Sequence, residues 1–251
     1  MRLEISAEVA RLTLNRPDVL NAGNREWVRD LTEAGERIGA ARGVRVAVIT
    51  GAGRAFCTGV DLGALARGEF GFPDFRAWED AMVAIEDMNT LFVAAINGHA
   101  LGGGLQLALV CDYRLASDAA LIGLPAMKEG LIPSLALYRL PRLIGLARAR
   151  ELILLGENIS AREAERLNVV NRVVPAAEFA DALEVTVTRM LELPATTVRV
   201  SKRLTGLAFD LDRDPFRDRM NAAFEPMLES PEHKAAMATF RETRGARPEA
   251  P

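Results

Sequence analysis

Short β-rich runs alternate with amphipathic helical stretches through the first half of this chain, and two glycine-rich segments each follow directly on one of those runs. Together these observations predict an α/β protein with a buried sheet and loops gathered at the carboxyl ends of its strands. Beyond about residue 125 the pattern changes to helices with little strand.

The elements follow in order. "ARLTLN" (10–15) alternates as a strand, and "REWVRDLTEAGERIGAA" (25–41) places Trp27, Val28, Leu31 and Ile38 on one helical face. "VRVAVITG" (44–51) is a short apolar run suited to a buried strand, and "FRAWEDAMVAIEDMNTL" (75–91) is again helical. "FVAAING" (92–98) is a second buried strand, leading through three glycines into a helix over "GLQLALVCD" (104–112). In "ISAREAERLN" (159–168), Ser160 with Glu163 three residues on forms a capping box. A last strand, "VVNRVVP" (169–175), precedes a helical remainder with breaks expected at Pro194, Pro215, Pro226 and Pro231. The helices over about 195–247 carry apolar faces that need covering by the main body or another subunit.

Composition narrows the function. The 251 residues are enough for one large domain, or for one domain and an appendage. Net charge is −3, with no long run of either sign, so no electrostatic nucleic-acid or membrane partner is expected. Two cysteines and two histidines argue against a disulfide framework and against a zinc site. The start lacks the apolar core of a signal peptide, and no stretch has the length of a membrane span. A cytoplasmic protein is the reading.

Chemistry concentrates at two strand-to-helix junctions, "GAGRAFCTGVD" (51–61) and "NGHALGGGLQ" (97–106). In open α/β sheets ligands gather beyond the carboxyl ends of strands, where free N–H groups point outward. Two neighbouring junctions can aim two backbone donors at one oxygen, an oxyanion hole in which each donor is worth about 3 kcal/mol to a transition state. Taken singly, such glycines are better read as permitting tight turns and close helix–strand packing; the pair, at this spacing, carries the signal. A phosphate loop fits less well, because no Gly-Lys-Ser/Thr ending and no G-x-G-x-x-G spacing is present.

"LNRPDVLNA" (14–22), "AVITGAGRAFCTGVDL" (47–62), "AAINGHALGGGLQLALVCDYRLAS" (94–117), "GLIP" (130–133), "LPRLIG" (140–145) and "ISAREAERLNVVNRVVP" (159–175) resemble the enoyl-CoA hydratase/isomerase, or crotonase, family in order and spacing. With "FRETR" (240–244) the resemblance covers essentially the whole chain. It implies a crotonase fold: a spiral of ββα units over 1–194 that binds acyl-CoA, and a C-terminal helical oligomerisation region over 195–251. It also implies a homotrimer or a dimer of trimers, with a coenzyme A thioester as ligand and no other cofactor.

Carried over by position, the resemblance implies an oxyanion hole built from the backbone N–H groups of Val60 and Gly103, assisted by the dipole of the helix beginning there. Arg16, Val19 and Leu20 fall where the family holds pantetheine and nucleotide. Ala55, Phe56 and Cys57 fall where backbone groups receive the adenine, and Phe240 where an aromatic, often from a neighbouring subunit, closes the site.

The sequence departs from the family at its acids. A hydratase has one glutamate two residues after the glycine triplet and another after the proline of a "G-x-P-E" segment; here stand Gln106 and, in "GLPAMKEG" (123–130), Ala126. Hydration needs a base for water and an acid for Cα, each contributing about 10²–10⁴-fold, and a glutamine takes no proton. Glu129, one turn beyond Ala126 if that segment is helical, is the nearby carboxylate able to substitute, although a surface role competes. Some isomerase-type members carry an aspartate where Ser134 stands. Asp61 is read as an N-cap, His99 as a packing residue, Tyr138 as a structural hydroxyl, and Cys57 and Cys111 as buried fillers.

Two readings follow. The first is an enzyme that stabilises a thioester enolate for decarboxylation or isomerisation rather than standard hydration. The alternative is a non-catalytic acyl-CoA-binding protein that kept the pocket and lost the acid/base residues.

Overall fold

The computed structural model describes residues 1–245. The chain forms two compact units, Met1–Met190 and a second beginning at Leu191. In the first, β1 (Arg2–Ser6) and β2 (Val9–Leu14) form a hairpin, and α1 (Arg25–Ala40) follows. Asn24 caps α1 by accepting the Trp27 N–H at 2.9 Å, and the face carrying Trp27, Val28, Leu31 and Ile38 is buried as the spacing requires.

Three strand pairs then define the architecture. They are β3 (Val46–Gly51) with β4 (Ala55–Cys57), β5 (Leu91–Ile96) with β6 (His99–Leu101), and β7 (Tyr113–Ser117) with β8 (Leu121–Gly123). Helices α2 (Leu62–Ala66) and α3 (Phe72–Glu86) follow the first pair, and α4 (Gly103–Leu109) follows the second. A 3₁₀ turn at Pro125–Glu129 follows the third pair, then α5 (Ala136–Ile144), α6 (Leu146–Leu155), β9 (Ile159–Ser160), α7 (Ala161–Arg166), β10 (Arg172–Val174) and α8 (Phe179–Glu192).

The leading strand of each pair joins a six-stranded sheet of order β1-β2-β3-β5-β7-β10, parallel except for the first hairpin. The trailing strand joins a smaller sheet of order β4-β6-β8-β9. Each turn of chain thus adds one strand to each sheet, which is the spiral of ββα units. Between the layers lie Leu12, Trp27, Ile49, Phe56, Phe92 and Leu105, all buried, each contributing about 1.5–3 kcal/mol by its burial.

Several boundaries differ from the sequence expectation. Helix α3 begins earlier, at Phe72, because Pro73 suits a first turn, and it ends at Glu86 so that Leu91 can open β5. Only half of the expected capping box forms. The Ser160 Oγ accepts the Glu163 N–H at 3.2 Å, but the Glu163 carboxylate pairs with Arg166 instead of reaching back.

The second unit holds α9 (Ala195–Gly206), α10 (Arg213–Leu228) and α11 (Pro231–Gly245). Pro194 and Pro231 open helices as expected, but α10 runs through both Pro215 and Pro226. Pro215 lies in the first turn, where its missing N–H has no helical partner to lose, and Pro226 lies in the last turn. Neither α9 nor α10 buries a residue, while Phe209, Phe224, Leu228 and Phe240 are exposed.

Candidate active site

The two glycine-rich junctions lie side by side. After β4 the chain passes through Gly59 (φ +94) and Val60 to Asp61, the N-cap of α2. The segment is tied on both sides of Val60: Gly23 N–H donates to the Gly59 carbonyl at 2.8 Å, and Asp61 N–H to the Gly23 carbonyl at 2.8 Å. Val60's own N–H finds no acceptor among the described residues. After β6, Gly102 (φ +53) donates to the Gly123 carbonyl at 2.9 Å, and Gly103 opens α4 with an N–H that is likewise unaccepted. In the first turn of a helix such an N–H has no intrahelical partner.

Close approach explains the glycines. A Cβ on Gly104 would stand 1.9 Å from the Cys57 carbonyl oxygen, and one on Gly103 would stand 2.8 Å from the Trp78 ring. Gly59 presses on the other junction, its own Cβ position being 3.0 Å from Gly103 N. Two donors without acceptors are therefore held by mutually packed backbone.

Val60 and Gly103 both line a cleft with about 650 Å³ of empty space, open to solvent. Its floor is Thr58, Gly59, Val60, Gly102 and Gly103, with Gln106 one helical turn further on. One wall is Leu62 with Phe75, Trp78 and Met82 of α3; the roof is Pro125, Ala126 and Glu129, continuing through Leu131–Ser134. The lining is mostly apolar. Gln106 is 8 % exposed, and its Oε1 is buried without a hydrogen-bond partner. Trp78 Nε1 is buried and unpartnered as well. Glu129 ends the 3₁₀ turn, so the one-turn spacing from Ala126 does bring it to the cleft, where it is the only carboxylate among the described lining residues.

The positions expected to hold coenzyme A separate into two groups. Val19 is exposed and Leu20 half-buried on the 3₁₀ turn that follows Arg16. Arg16 points its guanidinium at the Ala22 carbonyl and at Asp61, 3.3 Å away, bracing the first junction. Ala55, Phe56 and Cys57, the positions expected to receive the adenine, form β4 and are each 0 % exposed. The accessible floor begins one residue later, at Thr58. Phe240 lies on α11 of the second unit, half exposed.

Other candidates keep structural roles. Asp61 accepts the Ala64 N–H at 3.1 Å; that bond, followed by Arg16, holds its carboxyl below the ordinary carboxylate range in spite of desolvation. Burial pushes the Cys57 thiol up to about 12, which leaves it protonated and inert, and Cys111 is also buried. His99 Nδ1 accepts the Leu121 N–H at 3.3 Å. Tyr138 carries the Arg142 guanidinium 3.3 Å above its ring.

Sequence reasoning missed Asn21 and Trp78. Fully buried Asn21 accepts from Arg16 N–H and donates to the Ala52 and Ala55 carbonyls, stapling the 16–22 turn to β3 and β4. Its signal was an asparagine soon after a proline turn, a residue type that tolerates its φ of +60. Trp78 was legible only as an apolar helix position.

The enoyl-CoA hydratase/isomerase family model matches residues 4–249. This chain belongs to that family. A crotonyl-CoA hydratase of Syntrophomonas wolfei is 32% identical over 252 residues, covering 97% of this chain and 95% of that protein. An (E)-benzylidenesuccinyl-CoA hydratase of Thauera aromatica is 36% identical over 223 residues, covering 83% of each. Among solved structures, the Bacillus anthracis enoyl-CoA hydratase superposes with a TM-score of 0.89 at 30% identity, covering 96% of both chains. A Thermobifida fusca protein solved in complex with CoA gives 0.82 at 32% identity, covering 91% of this chain and 92% of that one. The fold is the crotonase fold. No helix among the described residues is long and apolar enough to cross a membrane, and no group of residues among them could hold a metal ion.

Proposed function

We propose that this family member binds an acyl-CoA thioester with its carbonyl oxygen between Val60 N–H and Gly103 N–H, and stabilises the enolate that develops there. The supporting observation is the pair of backbone donors, both without protein acceptors, at the floor of one open cleft. Preorganised donors of this kind are worth about 3 kcal/mol each to a developing oxyanion. The Thermobifida fusca relative solved with CoA supports the ligand class.

Gln106 and Ala126 stand, in this reading, where a hydratase has its two glutamates. The reactions left open need at most one proton carrier. Decarboxylation of a malonyl-type thioester generates the enolate without a base. A double-bond shift needs a single carboxylate to move one proton between two carbons, and Glu129 at the cleft rim supports that version. Hydration needs two such groups and is not the activity proposed.

A second reading, a binder without turnover, is favoured by the apolar Ala126 and by the exposure of Glu129. A homo-oligomer, a trimer or a dimer of trimers, is proposed from the exposed apolar residues of α9–α11, with Phe240 closing a neighbour's cleft.

A panel of acyl-CoA thioesters assayed for both binding and turnover tests the proposal. Micromolar binding with decarboxylation or isomerisation supports the enzyme, and binding alone supports the second reading. Rapid hydration of crotonyl-CoA, or no acyl-CoA binding at all, overturns the assignment.

A further inference from the structure

The α3 wall and the roof of the cleft share one buried ionic anchor. Arg139, on α5, is 9 % exposed and spends its guanidinium on two carboxylates of α3. Nη1 reaches Glu79 Oε1 at 2.8 Å, while Nε and Nη2 reach Glu86 at distances from 2.8 to 3.1 Å. The second oxygen of Glu79 accepts the Leu135 N–H at 3.3 Å. Leu135 directly follows the Leu131–Ser134 segment of the roof, and Glu79 directly follows Trp78, which lines the α3 wall.

The Leu131–Ser134 segment buries only Pro133. Its backbone bonds are local, Leu131 N–H to the Ala126 carbonyl and turns running into α5. Ile132 is 73% exposed, and Ser134 sits at φ +37, a conformation that an L side chain adopts under strain. A segment with few buried contacts opens at low free energy unless it is tied down.

We propose that Arg139 is a specificity-determining positioning residue: with Glu79 and Glu86 it fixes the Leu131–Ser134 wall against α3 and so limits the length of acyl chain the cleft accepts. This rests on the acyl-CoA reading above. Arg139 is not among the residues that line the cleft. It acts through the wall, whose separation from Phe75 and Met82 sets the depth available to apolar carbons. Every further methylene that can be buried strengthens binding about fourfold, so a wall that yields converts directly into affinity for longer chains.

The test measures affinities for acetyl-, butyryl-, hexanoyl-, octanoyl- and decanoyl-CoA with wild type, Arg139→Met and Glu86→Gln. In the wild type, affinity rises through the short members and then falls. In Arg139→Met the fall moves to longer chains, and octanoyl-CoA gains about tenfold relative to butyryl-CoA. Arg139→Met strands two carboxylates and can fail to fold. The Glu86→Gln variant removes only a partly exposed carboxylate and keeps the Arg139–Glu79 pair, and it shifts the profile the same way by a smaller factor. Arg139→Lys restores the wild-type profile in part. A lower melting temperature with an unchanged chain-length ratio, in either folded variant, overturns the proposal and leaves the acyl-CoA reading standing. Absence of any acyl-CoA binding by the wild type overturns both.

Discussion

The floor and the roof of the cleft are held in different ways. The floor consists of two backbone junctions packed against each other and against Trp78, with Gly104 seated on the Cys57 carbonyl. The roof, from Pro125 to Ser134, carries Ala126 and Glu129, is partly exposed, and turns at Gly130, whose Cβ position meets nothing within 4 Å. The floor therefore has almost no freedom of sequence, whereas the roof can change residues without changing the fold. A family can keep one binding device and vary its chemistry because the two reside in regions with such different tolerance.

The comparison breaks most severely at Gly104. Gly104→Ala puts a methyl group 1.9 Å from the Cys57 carbonyl oxygen and 2.9 Å from its Cβ, so a loss of about 3 kcal/mol or more is expected in urea unfolding. A stable variant would mean that the floor is softer than described.

Next come changes to the chemistry alone. Wild type is expected to hydrate crotonyl-CoA negligibly, and Gln106→Glu with Ala126→Glu to raise that rate at least about 100-fold if the floor is intact. For an isomerase, Glu129→Gln lowers turnover by about 100-fold or more while acyl-CoA affinity stays unchanged. Turnover indifferent to Glu129→Gln would point to decarboxylation or to a different proton carrier.

How much of this was legible in the sequence follows the same division. The buried runs of β3 and β5 declared themselves as unbroken apolar stretches, and the amphipathic face of α1 through periodicity. The strands of the smaller sheet did not, because β4, β6 and β8 are three residues long and pass below any periodic signal. β7 was hidden by a charge: Arg114 sits in it only 6% exposed. Its guanidinium is satisfied by the Val169 and Cys111 carbonyls at 2.8 and 2.7 Å, contacts that come from distant parts of the chain or from a neighbouring turn. At the site, Val60 and Gly103 were named from the resemblance; both line one cleft, and neither N–H has an acceptor among the described residues. The burial of Ala55, Phe56 and Cys57 and the stapling role of Asn21 depend on layers meeting in space, which local pattern does not encode.

Smaller effects sharpen the contrast. Asp61→Ala removes the α2 cap and the Arg16 partner, with an expected loss of about 1 kcal/mol at neutral pH. The folded carboxyl titrates below its ordinary 3.8, so its contribution is complete above that value and is lost as pH falls through the lower folded value. The stability difference between wild type and variant should close in acid; a difference that persists there contradicts the role given to the charge. Gly130→Ala, at φ +69 in open space, should cost only about 1 kcal/mol and leave ligand binding unaltered.

The central claim is that a thioester oxygen lies between Val60 N–H and Gly103 N–H. Isotope-edited infrared spectroscopy of an acyl-CoA labelled with ¹³C at the thioester carbonyl reads that contact without a mutation. Two preorganised donors should draw the C=O stretch of the bound ligand to lower wavenumber than in water. A bound ligand whose carbonyl stretch lies at or above its value in water would contradict the account.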